Sequence, residues 1–275
     1  MIIGRRGLLA GVAALIGAGA AAALLNRIVL RGGYTLQADI PYGEGPRHKL
    51  DLYLPKRPRE DGIAILFFHG GGWREGDKAD NQFVGQALAA RGVTVVIADY
   101  RLFPEVRFPS FLEDGARAVR WAVDRIGADK LFIMGHSAGA EIAAMLMADT
   151  PYLQAVGVDR MKLRGLIGLS GPYDFPPSGP INAEVFVGSD RRAIETITYV
   201  HAPLPPALLI HGLEDDYVPA ASSERMAAAW RKAGAPVELK LYPGVAHGDL
   251  IGAFGDLIHK RATTRDDVLA WIDAH

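Results

Sequence analysis

A protein can break an acyl bond without a metal if it combines four elements: a serine lifted out of a sharp turn, a histidine to take its proton, a carboxylate to hold that histidine, and amides to receive the oxyanion. The run Gly135-His136-Ser137-Ala138-Gly139 follows the apolar stretch Lys130 to Met134 and leads into a helical pattern from Glu141 to Met147. A G-x-S-x-G in this strand–turn–helix setting predicts Ser137 as the nucleophile. Gly135 and Gly139 let the backbone reverse without Cβ clashes, and the dipole of the following helix favours negative charge beside the hydroxyl.

The base must be one of eight histidines. His247 is best placed, in Gly244-Val245-Ala246-His247-Gly248-Asp249, read as a loop beyond the last expected strand. His48 precedes the core, His201 and His259 fall in irregular segments, and His275 is the last residue; His69, His136 and His211 sit in other turn motifs at strand ends. For the acid, His211-Gly212-Leu213-Glu214-Asp215-Asp216-Tyr217-Val218-Pro219 supplies Asp215, with Glu214 and Asp216 as local alternatives. The chain order Ser137, Asp215, His247 separates this set from the two common serine-protease orders.

The fourth element, the amides, is offered by His69-Gly70-Gly71-Gly72-Trp73. Consecutive glycines let backbone N–H groups converge, so the amides of Gly71 and Gly72, with that of Ala138, are the expected oxyanion donors. No G-K-[ST] follows these glycines, which removes a phosphate-binding reading. Trp73 and Tyr173 either line the acyl or alcohol pocket or simply pack. The absence of cysteine excludes thiolate zinc and iron–sulfur sites and a cysteine nucleophile. The chemistry expected calls for no cofactor and no metal.

Eight β-rich runs are available to position these residues: Gln37 to Ile40, Leu50 to Leu54, Ile63 to His69, Val93 to Asp99, Leu131 to Gly135, Leu166 to Leu169, Ala207 to His211 and Glu238 to Tyr242. Helical patterns cover Asn81 to Ala90, Phe111 to Ile126, Ala138 to Ala148, Ala221 to Ala233 and Thr264 to Ala274. The turn-rich Pro41 to Pro46 suits an antiparallel start, whereas continuous apolar runs such as Ile63 to Phe68 are expected where helices cover both faces. The alternation predicts one α/β domain over residues 32–275 with a mainly parallel sheet of eight strands flanked by helices. The segment 170–206 breaks the rhythm, with one expected helix near Asp190 to Tyr199, and reads as a small lid.

Residues 1–31 are different in kind. Arg5 and Arg6 precede an uncharged run from Gly7 to Asn26, with small residues at Ala20 to Ala23. This reads as a secretory signal or a membrane anchor through residues 7–26, and so as an exported or membrane-anchored protein. The full chain carries 30 Lys and Arg against 31 Asp and Glu, but four of those cations lie in this segment, leaving −5 on residues 32–275. A mildly acidic body offers no basic footprint for nucleic acid, and the oligomeric state stays open.

Together, His69 to Trp73, Asp99-Tyr100-Arg101, Gly135 to Gly139, Ser170 to Asp174, Asp215 and His247 resemble the α/β-hydrolase superfamily, in its serine carboxylesterase and lipase branch. Leu50 to Pro55 is also similar to an edge strand of bacterial esterases of the hormone-sensitive-lipase and feruloyl-esterase-like groups. The resemblance implies hydrolysis of small-molecule carboxylic esters through an acyl-enzyme, without a cofactor. The short 32–50 and 170–206 segments favour short or medium acyl groups over triglycerides. Kynurenine formamidases share His-Gly-Gly-x-Trp and give the alternative, an amidohydrolase with the same triad. A catalytically silent binding module of the same fold would be expected to show a broken triad.

Overall fold

The computed structural model describes residues 32–148, 150–174, 183–255 and 261–275. The expected leader, residues 1–31, and the part of the expected lid at 175–182 lie outside the described residues. Among the described residues, no helix is long and apolar enough to cross a membrane.

The strands are β1 (Tyr34–Pro41), β2 (Lys49–Pro55), β3 (Ala64–Phe68), β4 (Thr94–Ala98), β5 (Leu131–His136), β6 (Gly165–Leu169), β7 (Ala207–Gly212) and β8 (Val237–Tyr242). They form one sheet in the order β1-β2-β4-β3-β5-β6-β7-β8. β1 pairs antiparallel with β2 and β2 antiparallel with β4, while the remaining pairs are parallel. The described helices are α1 (Gln82–Ala89), α2 (Ser110–Ile126), α3 (Ala138–Ala148), α4 (Thr150–Ala155), α5 (Arg191–Ile194), α6 (Ala221–Lys232), α7 (His247–Gly252) and α8 (Thr264–Ala274).

Burial explains why β3 reads as an unbroken apolar run. Ala64, Leu66 and Phe68 face one core with residues of α2 and α3, while Ile65 and Phe67 face another with residues of α1 and α8. A central strand covered on both sides has no polar face to show. The edge strand β1 is largely exposed and carries a bulge between Gln37 and Ile40, which interrupts an otherwise open row of backbone groups. In α2, Phe111, Gly115, Val119 and Ala122 recur at helical spacing and are buried. Every residue of α3 is buried, so this helix is apolar all round except at Glu141.

The parallel register sets the site. Phe68 pairs with Gly135, His136 with Leu169, Leu169 with Ile210 and Gly212 with Tyr242, so β3, β5, β6, β7 and β8 finish side by side. The chain segments that leave those carboxyl ends are His69 to Trp73, Ser137, the Asp215 loop and the approach to His247, where open α/β sheets place their ligands.

Candidate active site

Ser137 links β5 directly to α3 and holds φ of +54°, a left-handed conformation that costs about 1 kcal/mol or more for a non-glycine residue. Neighbouring backbone keeps it there. Its amide donates to Leu169 O at 2.9 Å, and its carbonyl accepts from the amides of Ala140 and Glu141 at 2.9 and 3.2 Å. A Cβ on Gly135 would collide with the Gly139 carbonyl, and one on Gly139 would collide with the Phe68 carbonyl. The G-x-S-x-G spacing is therefore a steric requirement of turning from strand to helix at this point. Because the helix bonds to Ser137 O begin at Ala140, the amides of Ala138 and Gly139 are first-turn donors with no partner inside the helix.

The glycine loop approaches the same serine. A Cβ on Gly70 would come within 3.1 Å of both Ser137 Cβ and His136 Nδ1. Gly71, Gly72 and Trp73 all have positive φ, at +119°, +58° and +59°, which curls their peptide groups into one tight turn. That turn is closed by the amides of Arg74 and Glu75, which donate to Gly71 O at 3.0 and 3.1 Å. His69 anchors its start. The ring stacks on Tyr100 at 4.5 Å, Nδ1 lies 2.7 Å from Gly70 O, Nε2 lies 3.4 Å from Asp99 Oδ1, and the Tyr100 hydroxyl donates to His69 O at 2.8 Å.

Asp215 and His247 meet across two loops tied together by backbone bonds, Leu213 N to Tyr242 O at 2.9 Å and Glu214 N to Val245 O at 3.0 Å. His247 Nδ1 is 2.7 Å from Asp215 Oδ2. Of the three adjacent acids, Glu214 and Asp216 are exposed, and the side chain of Asp215 is wholly buried. Its Oδ1 accepts from the amides of Tyr217 and Val218 at 3.0 and 2.9 Å, and its Oδ2 lies 3.1 Å from His211 Nε2 as well. Burial works to raise this carboxyl, but hydrogen bonds from His211, His247 and the Val218 amide outweigh it and hold it far below the ordinary carboxylate range.

His247 is not in the loop expected from the sequence but is the first residue of α7. Asp249 makes that helix start, its Oδ2 accepting from Ala246 N at 3.2 Å while its amide donates to Ala246 O at 3.0 Å. A helix this short, following a glycine-containing turn, has too few periodic apolar residues to be visible in sequence. His136, next to Ser137, packs its ring 4.8 Å from that of His247, with Nε2 3.3 Å from His247 O. Burial pushes the His136 imidazole down to about 3, so at neutral pH it adds no charge beside His247. The exposed Tyr217 ring stands 5.4 Å from that of His247.

Trp73 and Tyr173 are both closed off from solvent. The Trp73 indole stacks on Phe111 at 6.0 Å and meets the edge of Phe186 at 4.9 Å. The Tyr173 ring fills the space left by Gly168 and Gly171, and its amide donates to Ser222 Oγ at 2.8 Å. Packing accounts for both positions. Two residues without an expected role stand out instead: His211 behind Asp215, and Glu141, a fully buried carboxyl in the first turn of α3. The i, i+4 spacing of His211 and Asp215 and the lone charge in Ala138 to Ala148 were their only sequence signals. No group of three or more His, Cys, Asp or Glu side chains able to hold a metal occurs among the described residues.

Residues 50–230 match the BD-FAE family. The chain belongs to that family. Among similar proteins of this BD-FAE member, the probable isoprenylcysteine alpha-carbonyl methylesterase ICME of Oryza sativa subsp. japonica is 30% identical over 237 residues, 76% of this chain and 57% of that one. Kynurenine formamidase of Danio rerio is 32% identical over 140 residues, 50% of this chain and 47% of that one. The chain thus spans little more than half the length of the curated relatives it matches. A hormone-sensitive lipase from a metagenome library superposes with a TM-score of 0.78 over 98% of this chain and 95% of that one, at 25% identity. The BD-FAE chain has the α/β-hydrolase fold, with its mostly parallel eight-stranded sheet.

Proposed function

We propose that this BD-FAE protein is a serine carboxylesterase acting on short to medium carboxylic esters through an acyl-enzyme. The observation that carries the reading is the 2.7 Å bond between His247 Nδ1 and the buried Asp215, at the sheet end where Ser137 is held on a left-handed turn. An imidazole whose Nδ1–H is committed to a carboxylate presents Nε2 as the base. Ser137 Oγ attacks the ester carbonyl as its proton passes to His247 Nε2. The amides of Gly71, Gly72 and Ala138 receive the oxyanion. His247 then protonates the departing alcohol, and a water repeats the sequence on the acyl-enzyme to release the acid and free Ser137.

The experiment is hydrolysis of p-nitrophenyl esters of rising acyl length by the full chain and its Ser137→Ala variant. Wild type should turn over the butyrate, and the variant should lose the activity by a factor on the order of 10³ or more. A variant with wild-type turnover would overturn the assignment. The stretch similar to kynurenine formamidase supports a second reading, opening of an N-formyl amide by the same residues. A kcat/KM for N-formylkynurenine exceeding that for every ester tested would establish it in place of the first.

Export or membrane anchoring through residues 1–31 belongs to the same proposal. Its support is the sequence run of Arg5, Arg6 and the uncharged residues 7–26. Fractionation of cells producing the full chain with a carboxy-terminal tag tests it, an exclusively cytosolic product being the contrary result.

A further inference from the structure

Asp215 is held by two imidazoles, although one histidine is enough for the chemistry proposed above. His211 is the next-to-last residue of β7 and is fully buried. Its Nε2 faces two acceptors, Val218 O at 2.9 Å and Asp215 Oδ2 at 3.1 Å, and its Nδ1 lies 2.7 Å from Ser223 Oγ of α6. Two acceptors on Nε2 require the neutral ring to carry its hydrogen there, which leaves Nδ1 to accept from the Ser223 hydroxyl. The chain Ser223–His211–Asp215–His247 therefore runs from α6 to the base, and both imidazoles converge on the same oxygen, Oδ2.

We propose that His211 is a positioning residue that shares Asp215 Oδ2 with His247 and so limits the basicity of the His247 imidazole. The inference rests on the esterase reading. A donor on a carboxylate oxygen withdraws charge from it and weakens its hold on a neighbouring imidazolium. Without that donor, Asp215 stabilises protonated His247 more strongly, and the base becomes free only at higher pH. The other titratable groups facing this pair are His136 from β5 and Tyr217 of the Asp215 loop, while Glu214 and Asp216 of that loop are exposed.

The test is the pH profile of kcat/KM for p-nitrophenyl butyrate in wild type, His211→Leu and His211→Gln. Leucine removes the donor, whereas the glutamine amide can place an N–H near the position of Nε2. The leucine variant should move the acid limb upward by about half a pH unit or more. It should also lower kcat at the optimum about tenfold. The glutamine variant should restore both to within about twofold of wild type. A leucine variant with the wild-type profile, or a folded glutamine variant as impaired as leucine, would overturn the proposal. Should the leucine chain fail to fold, Ser223→Ala carries the test. Loss of the hydroxyl on Nδ1 should move the acid limb in the same direction, and a profile overlaying wild type counts against the role. Ser137→Ala, assayed in parallel, separates the two readings. If it stays active, the esterase assignment fails; if it is dead while His211→Leu is unchanged, only the His211 role fails.

Discussion

Asp215 and Glu141 are both carboxylates whose side chains are wholly shut off from water, yet they are held in opposite states. Asp215 sits in a loop and receives the Tyr217 and Val218 amides on one oxygen and two imidazoles on the other. Glu141 sits in the first turn of α3, its own amide donating to Ser137 O. Burial pushes the Glu141 carboxyl up to about 8, and a hydrogen bond from the Trp73 indole offsets only part of that. Desolvation disfavours charge in both places; the supply of donors decides which one keeps it. The Asp215 loop turns its Tyr217 and Val218 amides onto the carboxylate, whereas the amide of Glu141 is committed to Ser137 O. The charged carboxylate therefore stands where the chain leaves a strand, and the neutral one is buried in the first turn of the helix that follows Ser137.

The sharpest way to break this contrast is Asp215→Asn, which keeps the shape and removes the charge. The asparagine favours the wrong His247 tautomer, so kcat for an activated ester should fall by roughly 10³- to 10⁴-fold with KM little changed. A loss below tenfold would move the acid elsewhere.

The second effect is on stability, and the two groups act with opposite signs. Glu141 has its folded value raised from 4.5 to about 8, so its contribution is fully present below about pH 4.5 and is lost as pH rises toward 8. Asp215 has its value lowered from 3.8, so its contribution is present above that value and is lost as pH falls. Glu141→Gln removes the first dependence alone. The Tm of this variant minus that of wild type should grow between pH 4.5 and 8 in thermal unfolding, and a difference constant over that range would show that Glu141 is ionised in the fold. The smallest effects belong to Glu214→Gln and Asp216→Asn. Both residues are exposed, and these substitutions should leave kcat within about twofold. A larger loss at either one would show that the acid is drawn from a different conformation of the loop.

How much was legible in the chain follows from the range of the interactions involved. Among the described residues, all eight strands could be read because most are apolar runs bounded by turn residues, and the five longest helices because their periodic patterns extend over several turns. The elbow was legible because G-x-S-x-G between an apolar run and a helical pattern is a local signal, although only the clash at Gly135 is with a neighbour in sequence and the one at Gly139 is with the distant Phe68 carbonyl. The turn into α7 was not, since it depends on one capping side chain, Asp249. Nor could sequence separate the two readings of Trp73, because its partners Phe111 and Phe186 lie far away in the chain.

By itself the sequence determined the α/β alternation, the turn that carries Ser137, and the order in which serine, acid and histidine arrive. The first two are properties of local pattern, and the third is the linear order of the chain. Which of three consecutive acids meets His247, and that His211 shares its oxygen, depended on β7 and β8 lying side by side. Tertiary structure also set the charge states, because a carboxylate's ionisation is decided by the donors that distant segments bring to it or withhold.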